Sequence, residues 1–271
     1  MKHVLSVQDL SCLGKCSLTV ALPVLSAMGC AATALPTAVL STHTAFPEPH
    51  VRDLTGDILP VCRHWHSIGA EFDAITVGYL SDPAQATAVS QVLDSFSALT
   101  VLDPVMGDHG KPYSRITPEH VKAMKQLCSK AAVLLPNVTE AALLTGIPYR
   151  ETAEEGYFRT LLERVAAFGP ETVIITGAAF SEGRLGFAGL SRGSYFSYQA
   201  DKIPKACHGT GDLFAAVFTG SILSGKSPEE AAGLSAAFVE RVIQNTPQAS
   251  PFGVDFETQL PWLWQQLQGK K

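Results

Sequence analysis

The hydrophobic positions of this chain form short apolar runs that alternate with longer stretches of helical periodicity. Short runs rich in β-branched residues are typical of buried strands, and apolar residues that recur every three to four positions are typical of helices. The runs predict strands at residues 3–7, 31–40, 72–79, 99–102, 132–135 and 172–176. The periodic stretches predict helices at residues 15–28, 53–66, 83–96, 118–130, 137–145, 151–168, 228–244 and 255–267, and one more that begins near residue 212.

The alternation of strands and helices decides the predicted fold class. Strands that are apolar along their whole length are typical of a mostly parallel sheet with helices on both faces. Residues 184–190 and 195–199 are predicted to form a hairpin, because residues 191–193 supply turn residues. No linker, repeat or low-complexity segment interrupts the pattern, so residues 1–271 are predicted to form one α/β domain. In open sheets of this kind, ligands bind beyond the carboxyl ends of the strands.

Proline, glycine and polar residues mark the predicted breaks between elements. Pro23 lies inside the first helical stretch and predicts a kink or a late start, and Gly29 stops that helix. Residues 10–14 and 104–116 are predicted to be loops. Thr117 is the predicted N-cap of the helix that follows, because a proline occupies the first turn.

A glycine turn at residues 209–212, Gly-Thr-Gly-Asp, precedes an apolar helix. Glycine permits positive φ angles and a close approach of a ligand to the backbone. The N–H groups at a helix start have no intrahelical partner and lie at the positive end of the helix dipole, so they favour phosphate. Asp212 would place a carboxylate beside that anion site. The alternative is an ordinary loop in which Asp212 is an N-cap residue.

Carboxylate and amide side chains follow two other predicted strands. Asp103 and Asp108 belong to the motif Asp-Pro-Val-Met-Gly-Asp, and Asn137 and Glu140 belong to Asn-Val-Thr-Glu. The spacing of the second pair places both side chains on one face of a short helix. The Mg²⁺ ion of a nucleotide is held by few carboxylates and several waters, so these four residues are candidates to organise its water shell. Ordinary capping and turn formation are the alternative roles.

Composition and charge narrow the class of function. Of the 271 residues, 46% are hydrophobic and 17% are charged, which supplies a core and is not typical of disorder. The formal net charge is -5, without the clusters of Lys and Arg that phosphate neutralisation requires. A sequence-independent nucleic-acid binder is therefore excluded, and a small-molecule partner is favoured.

The cysteines and the uncharged N-terminal region indicate a cytoplasmic protein. The six cysteines have neither metal-ligand nor disulfide-framework spacing, which is typical of reduced thiols in the cytosol: Cys12, Cys16, Cys30, Cys62, Cys128 and Cys207. No export signal is apparent before the first strand. Residues 16–47 carry no charge, but prolines and polar residues divide them into separate elements. They are predicted to be buried interior rather than a membrane span.

Three motifs occur in an informative order: Asp-Pro-Val-Met-Gly-Asp, Asn-Val-Thr-Glu, and Gly-Thr-Gly-Asp at a helix start. In this combination the chain resembles the ribokinase-like superfamily over essentially its whole length. It is similar to the pyridoxal kinase branch through Ser-Val-Gln at 6–8, Leu-Ser-Thr-His-Thr at 40–44 and Val-Gly-Tyr-Leu at 77–80. The resemblance implies a three-layer α/β/α sandwich that phosphorylates the 5′-hydroxymethyl group of pyridoxal, pyridoxine or pyridoxamine with ATP. It also implies Mg²⁺, a monovalent cation as an additional candidate, and a cytosolic homodimer.

The resemblance also implies roles for individual residues. Asp212 would accept the hydroxyl proton, while backbone N–H groups of Gly209, Thr210, Gly211 and Asp212 stabilise the transferring phosphoryl group. The residues implied around the nucleotide are Asp103, Asp108, Tyr113, Asn137, Glu140 and Thr176, with Mg²⁺ held through water near Asp103 and Glu140. The residues implied around the vitamer are Asp9, His43, Thr44, Tyr79 and Cys207, with Tyr79 as a stacking surface. Residues 104–116 would form a lid with Gly107 and Gly110 as flexible points.

The chain departs from the pyridoxal kinase pattern in two places. Asp9 occupies the position of a small hydroxyl residue that contacts the ring, and a carboxylate there favours a protonated pyridine nitrogen or another donor. Cys207 precedes the glycine turn, as in a subgroup close to hydroxymethylpyrimidine kinases. A thiol beside a helix N-terminus is expected to have a lowered pKa, so Cys207 is a candidate for reversible addition to the pyridoxal aldehyde. Plain packing is the alternative for this thiol.

Three other functions stay open at this point. A hydroxymethylpyrimidine kinase, or an enzyme that accepts both rings, is the nearest alternative, although those kinases usually carry Gly-Thr-Gly-Cys where this chain has Asp212. A sugar kinase is less favoured, because the N-terminal half lacks paired-glycine and asparagine sugar motifs. The alternative from a different class is a non-catalytic nucleotide-binding protein on the same fold. The retained Gly209, Gly211 and Asp212 count against it, because binding alone does not require the base.

Overall fold

The computed structural model describes residues 1–205, 207–247 and 250–268. The strands of these residues, in chain order, are β1 Lys2–Leu13, β2 Cys30–Thr42, β3 Val51–Asp53, β4 Ala74–Val77, β5 Leu99–Leu102, β6 Gly107–Asp108, β7 Lys111–Pro112, β8 Val133–Leu134, β9 Thr172–Ala178, β10 Arg184–Ser191 and β11 Ser194–Asp201. The helices are α1 Leu18–Ala27, α2 Thr55–Ser67, α3 Pro83–Ser95, α4 Pro118–Cys128, α5 Val138–Thr145, α6 Glu155–Ala166, α7 Thr210–Leu223, α8 Pro228–Asn245 and α9 Leu260–Gln268. A 3₁₀ turn at Glu257–Gln259 leads into α9.

The central sheet has the strand order β11-β10-β9-β8-β5-β4-β1-β2-β3. The six strands from β9 to β2 pair in parallel. Antiparallel strands lie at both ends, with β3 beside β2 at one end and the β10–β11 hairpin beside β9 at the other. Because the six central strands are parallel, their carboxyl ends meet at one edge of the sheet, where β1, β4, β5, β8 and β9 give way to the candidate site residues.

Neighbouring residues of the parallel strands point into opposite helical layers. Val4 packs in a cluster with α1, α7, α8 and α9, whereas Leu5 packs in the cluster formed with α2 to α6. Val133 and Leu134 of β8 divide between the two sides in the same way. Both faces of each central strand are therefore covered, which explains why these strands are apolar along their length. The predicted three-layer α/β/α sandwich with a mostly parallel sheet is confirmed.

Strand β1 is longer than the sequence predicts. Residues 10–14 are predicted to be a loop, yet β1 continues to Leu13 and pairs with β2 along that extension. A register shift between Gln8 and Leu10 marks a bulge, and bulges bend a strand and change the direction of its side chains. A bridge between Leu10 and Ser17 then brings the chain back against the strand before α1 begins.

The remaining differences lie in short elements. Strand β3 is absent from the sequence prediction, which began a helix at residue 53, where the structure begins α2 at Thr55. Helix α1 begins at Leu18, the late start that Pro23 allows, although Pro23 itself stays inside the helix. The predicted loop at residues 104–116 contains the small β6–β7 hairpin. These elements depend on contacts with distant parts of the chain, which local pattern does not report.

The uncharged stretch at residues 16–47 forms α1 and β2, which are separate elements of the interior as predicted. Among the described residues, none of the helices combines the length and the apolar character that crossing a bilayer requires.

Candidate active site

The glycine turn before α7 is fixed by the segment that follows β1. Gly209 is the N-cap residue of α7 and has a left-handed backbone with φ 82°. Its Cα lies so close to the carbonyl oxygen of Lys15 that no side chain would fit there. Glycine is required at this position for two reasons, the positive φ and the close approach of another backbone. The turn therefore lies against the end of β1, as the sequence predicts for a helix start at the ligand-binding edge.

Asp212 lies in the first turn of α7 with part of its side chain open to solvent. The backbone N–H of Ser17 donates a hydrogen bond to its carboxylate. Burial among protein atoms raises the pKa of Asp212 to about 7, and the negative charge of Asp9 adds to the increase. A carboxyl group with this pKa changes its ionisation near neutral pH, which suits a general base. Asp212 is thus neither hidden in the core nor locked in an ion pair.

Asp103 and the α7 turn meet at the carboxyl edge of the sheet. The Asp103 backbone N–H donates to the Val77 carbonyl oxygen at 2.9 Å, which continues the β4–β5 ladder. A Cβ atom at Gly211 would lie 3.5 Å from Asp103 Oδ2, so the carboxylate faces the first turn of α7. Burial raises the pKa of Asp103 well above its usual range, and the charges of Glu140 and Asp212 raise it further. The structure thus brings together carboxylates that the sequence places in three separate motifs.

The Asn-Val-Thr-Glu motif is a capping box that also anchors the aspartate loop. Asn137 caps α5 by accepting from the Glu140 N–H at 2.9 Å, and Glu140 Oε2 accepts from the Asn137 N–H at 2.7 Å. Glu140 Oε1 accepts from the Met106 N–H at 3.0 Å, and Asn137 Nδ2 donates to the Gly107 carbonyl at 2.8 Å. Thr176 reaches the same place, because it forms a parallel bridge with Asn137. The motif holds the loop after Asp103 on the N-terminus of α5.

Glu140 is buried, with 2% of its surface exposed. Burial raises the pKa of its carboxyl group, and the backbone N–H groups of Asn137 and Met106 lower it in part. Both oxygens are therefore committed to the backbone. In this arrangement Glu140 positions the loop and contributes negative charge to the site.

The candidate lid at residues 104–116 is a structured hairpin. Gly107 contacts the Lys111 carbonyl oxygen too closely for any side chain, so glycine is needed there for packing. The Gly110 N–H donates to Thr139 Oγ1 at 2.9 Å. In the structure Gly107 packs against other backbone and Gly110 is hydrogen-bonded to α5, and the role of the two glycines as flexible points stays a prediction.

Asp108 and Tyr113 lie on the exposed side of this hairpin. Asp108 is exposed and accepts from the His109 N–H at 2.7 Å. Tyr113 is 41% exposed. The pKa of its hydroxyl group is raised by desolvation first and then by the charges of Glu140, Asp108, Asp103 and Asp212. The nucleotide residues predicted from the sequence thus share one electrostatic environment.

Asp9 is an internal residue of the site rather than a free carboxylate. It is 3% exposed, and its two oxygens accept from the hydroxyl groups of Ser17 at 2.5 Å and Ser11 at 2.9 Å. Burial raises its pKa, and the two hydroxyl groups lower it in part. Each oxygen accepts one of these hydrogen bonds and keeps a further lone pair, so the expectation that Asp9 favours a protonated pyridine nitrogen stays a prediction. Its charge still acts on Asp212 and Tyr79.

The three vitamer residues predicted from the loop and β4 differ in exposure. His43 is buried, and its Nε2 donates to the Pro251 carbonyl oxygen at 3.0 Å. Burial lowers the pKa of His43, and His208, whose ring centroid is 4.9 Å away, lowers it further. Thr44 is exposed, whereas Tyr79 is buried, with a hydroxyl pKa that is raised by burial. His43 thus supports the loop from inside while Thr44 faces the open side.

The two cysteines of the site region both have raised pKa values. The pKa of Cys207 is raised by desolvation, and Lys205 lowers it only in part. The prediction of a lowered pKa for Cys207 is wrong, because partial burial outweighs the helix terminus, and the thiol packs against the α1–α7 core cluster. Burial raises the pKa of Cys16, and the charges of Asp212 and Asp9 raise it further. Neither thiol has the electropositive surroundings of a reactive cysteine.

A cavity of about 480 Å³ opens beside Thr44. It lies between the loop at residues 44–49 and the residues Ser114 and Arg115 that follow the hairpin. A larger cavity of about 660 Å³ lies where β1 and β4 begin, lined by residues such as His3 and Asp73. That cavity is at the opposite edge of the sheet. Of the candidate site residues, Thr44 lines the smaller cavity.

The charge distribution at this edge fits a cation held through water. In the described part of the chain, Asp103 and Asp212 have no Lys or Arg partner. The described residues of the chain contain no group of three or more His, Cys, Asp or Glu side chains that could ligate a metal ion directly. Mg²⁺ commonly keeps several waters and takes one or two carboxylates together with substrate phosphates. The residues present fit that mode, with Asp103 as the carboxylate beside the helix start.

Several site residues escape sequence analysis. Ser17 hydrogen-bonds both Asp9 and Asp212, and Lys15 packs under the glycine turn. Met106 and Arg115 lie in the loop between Asp103 and α4. The short segment Gly-Lys-Cys-Ser at residues 14–17 offers one usable signal, because a glycine followed by polar residues comes after the first strand. Nothing in the local pattern singles out the other residues.

Comparison with known proteins shows the family of this chain. The phosphomethylpyrimidine kinase family matches residues 21–253. A pyridoxine/pyridoxal/pyridoxamine kinase from Bordetella bronchiseptica is 31% identical over 267 residues, which cover 91% of this chain and 90% of the relative. The crystal structure of pyridoxal kinase from Lactobacillus plantarum superposes with a TM-score of 0.91 at 32% identity, covering 100% of this chain and 99% of that one.

A second solved structure comes from Bacteroides thetaiotaomicron. This protein, assigned as a phosphomethylpyrimidine kinase and crystallised in an orthorhombic form with pyridoxal, gives a TM-score of 0.92 at 35% identity. The alignment covers 97% of this chain and 95% of that one. The ribokinase-like resemblance drawn from the motifs is confirmed. The chain belongs to the phosphomethylpyrimidine kinase family.

Proposed function

We propose that this chain is a kinase that transfers the γ-phosphoryl group of ATP to the 5′-hydroxymethyl group of pyridoxal, pyridoxine or pyridoxamine. The observation that carries the proposal is the position of Asp212, a partly exposed carboxylate in the first turn of α7 with a pKa near 7. It faces the same edge as Asp103 and lies beside a helix start that suits a phosphate. The curated and solved relatives that act on or contain pyridoxal support the choice of acceptor.

The reaction follows from this arrangement. Asp212 orients the acceptor hydroxyl group and takes its proton as the oxygen attacks the γ-phosphorus. The bond from the γ-phosphorus to the bridging oxygen breaks at the same time, and ADP leaves with that oxygen. The backbone N–H groups of residues 209–212, with Gly209, Thr210 and Gly211 ahead of the base, stabilise the negative charge of the transferring group. Because phosphoryl transfer leaves little covalent chemistry to the protein, positioning and charge stabilisation supply most of the catalysis.

The nucleotide side of the site is proposed to hold Mg²⁺ and ATP. Bound Mg²⁺ would neutralise charge on the phosphate oxygens. Asp103 would hold it through water, and Glu140 would supply further negative charge and fix the loop. The other residues proposed around the nucleotide are Asp108, Tyr113, Asn137 and Thr176.

The vitamer side is proposed to use the cavity beside Thr44. Tyr79 offers an aromatic ring against which a pyridine ring can stack. His43 keeps the loop in place through its hydrogen bond to Pro251. The chain is further proposed to work as one domain. A cytoplasmic location is supported by its six unpaired cysteines. A homodimer is supported by the family resemblance.

A hydroxymethylpyrimidine kinase is the second candidate, favoured by the family match over residues 21–253. One assay separates the two functions, because both produce ADP. ADP release with Mg-ATP should be measured against pyridoxal, pyridoxine, pyridoxamine, hydroxymethylpyrimidine and ribose. Turnover with the three B6 vitamers supports the proposal, and turnover with the pyrimidine alone contradicts it. Nucleotide binding without ADP release on any acceptor would favour a non-catalytic protein.

A further inference from the structure

Arg115 is an exposed cation on the segment that follows the β6–β7 hairpin. Its backbone lies in a tight turn, because the Ile116 N–H donates to the Tyr113 carbonyl oxygen at 2.9 Å. The Tyr113 N–H in turn donates to the Met106 carbonyl oxygen at 2.9 Å. Since Glu140 holds the Met106 N–H, this turn is tied to the loop that carries Asp103. The position of Arg115 at the site is therefore set by the fold.

The guanidinium group of Arg115 has no partner within the described residues, where it forms neither an ion pair nor a hydrogen bond with a side chain or the backbone. Two other surface arginines differ from it in this respect: Arg184 binds Asp201 at 2.7 Å and Arg192 binds Glu171 at 2.9 Å. A guanidinium group has five N–H donors and matches planar anionic acceptors well. All five donors of Arg115 remain available to a ligand.

The cavity places this cation opposite the candidate vitamer loop. Arg115 and Ser114 form one wall, and residues 44–49 form the other. That loop is closed at its base by the Ser41 N–H, which donates to the His50 carbonyl oxygen at 2.9 Å. The volume of about 480 Å³ lies in the range of small-ligand sites, which is roughly 300–1,000 Å³. A single aromatic ring between the two walls would lie within reach of the guanidinium group.

The pKa of the Tyr79 hydroxyl group is raised by burial and is also affected by two charges of opposite sign. The negative charge of Asp9 raises the pKa of its hydroxyl group, and the positive charge of Arg115 lowers it. The surface proposed to stack on the acceptor ring therefore lies within the influence of both a negative and a positive charge. A ring that carries its own negative oxygen toward Arg115 would match this field.

We propose that Arg115 is a specificity-determining residue that binds the ionised ring hydroxyl of a B6 vitamer and so favours it over a ring without that group. The inference rests on the proposed B6 kinase function. The ring hydroxyl of a B6 vitamer loses its proton readily when the ring nitrogen is protonated, which gives a zwitterion with a phenolate oxygen. The hydroxymethylpyrimidine ring has no such oxygen. A charge-assisted hydrogen bond from Arg115 would therefore discriminate between the two acceptors.

The test is a cycle of two ligands and three proteins. Isothermal titration calorimetry would measure the affinity of pyridoxine and of 3-deoxypyridoxine, which lacks only the ring hydroxyl, for the wild type, Arg115→Gln and Arg115→Lys. The expected result is that Arg115→Gln weakens pyridoxine binding by about 10- to 100-fold, the range of a hydrogen bond to a charged group, and leaves 3-deoxypyridoxine nearly unchanged. Arg115→Lys, which keeps the charge without the fork, should restore part of the loss.

Lys111→Gln is the matched control. It removes one positive charge from the same hairpin, at a residue that does not line the cavity. Its affinities for both ligands should stay within about twofold of the wild type, as for most surface substitutions. Equal losses of both ligands in Arg115→Gln would overturn the inference, since they would indicate a general effect on loop closure. Unchanged pyridoxine binding in Arg115→Gln would overturn it as well.

Parallel ADP-release assays separate this inference from the function on which it rests. If the wild type phosphorylates pyridoxine and the affinity cycle shows no coupling, Arg115 has no specificity role and the kinase assignment stands. If the wild type phosphorylates no B6 vitamer, the assignment fails and so does the role of Arg115 as a determinant of acceptor choice.

Discussion

Gly209 and Lys15 lie in direct backbone contact, with the Cα of the glycine against the carbonyl oxygen of the lysine. The contact joins the N-terminus of α7 to the segment after β1, two parts of the chain that are far apart in sequence. It brings the Ser17 N–H within hydrogen-bonding distance of the Asp212 carboxylate. The geometry of the proposed base therefore depends on this one approach.

Gly209→Ala and Gly211→Ala separate folding from chemistry. Gly209→Ala should destabilise the protein by about 2 kcal/mol or more, because alanine disfavours φ 82° and its Cβ would overlap the Lys15 carbonyl oxygen. Gly211→Ala has ordinary space, with its Cβ 3.5 Å from Asp103 Oδ2. Its stability should stay within about 0.5 kcal/mol of the wild type or rise slightly, since alanine favours helix.

Gly211→Ala should lose activity although it keeps its stability. Its added methyl group lies between the helix start and Asp103, where phosphate is proposed to bind, so kcat/KM for ATP should fall by about 10-fold or more. Urea denaturation and ADP release measure the two effects. Equal stability losses in both variants would contradict the conformational argument.

Asp212→Ala tests the proposed base. Turnover should fall by about 10²–10⁴-fold, the usual contribution of a general base, while the circular dichroism spectrum stays that of the wild type. Asp201→Ala is a suitable control, because it removes an exposed carboxylate at the far end of β11. Near-normal turnover in Asp212→Ala would remove the base from the mechanism.

The raised pKa of Asp212 predicts a pH dependence of stability in the absence of nucleotide. The pKa of Asp212 is about 7 in the folded protein and 3.8 without the influence of the fold, so the folded state binds the proton more tightly than the unfolded chain. The associated stabilisation is fully present below pH 3.8 and is lost as the pH rises through about 7. Asp212→Asn removes this loss because asparagine does not ionise.

Thermal denaturation of the wild type and Asp212→Asn at several pH values measures this effect. The stability advantage of the variant over the wild type should widen by about 2 kcal/mol between pH 5 and pH 8, because the wild type loses stability at each pH step up to about pH 7. A stability difference that does not change with pH would mean that Asp212 is ionised throughout the range.

The sequence reveals Asp103, Asn137 and Asp212 because each follows the end of an apolar strand or opens a helix. Parallel strands bring their carboxyl ends together, so three distant motifs can be placed at one edge without coordinates. The layered fold follows from the same apolar strands. These inferences succeed because the order of apolar and polar residues along the chain determines where the strands lie and where they end.

The surroundings of Asp9 could not be predicted in this way. Its carboxylate is satisfied by Ser11 and Ser17, and Ser17 reaches it only because the chain folds back to form the Leu10–Ser17 bridge. The extension of β1 to Leu13 depends likewise on pairing with β2 rather than on its own composition. The pKa of Cys207 was mispredicted because a helix terminus was visible in the sequence and the packing around the thiol was not.

Ser17 offers a measure of backbone strain at the site. It has φ 54° and ψ -127°, a conformation that side chains disfavour, and its hydroxyl group donates to Asp9 at 2.5 Å. Ser17→Ala and Ser17→Gly both remove the hydroxyl group, which should cost about 1–3 kcal/mol because a buried carboxylate loses a donor. Glycine alone relieves the strain, so Ser17→Gly should be more stable than Ser17→Ala by about 1–2 kcal/mol.

Ser11→Ala supplies the control for these two variants. It removes the other hydroxyl donor to Asp9, at 2.9 Å, from a residue that pairs regularly within β1. Its destabilisation should therefore report the loss of a hydroxyl group without a change in strain, and should lie in the same range of about 1–3 kcal/mol. Chemical denaturation of the four proteins measures all three differences. If Ser17→Ala and Ser17→Gly prove equally stable, the unusual backbone of Ser17 stores no strain, and its conformation is set by the hydrogen bonds to Asp9 and Asp212 alone.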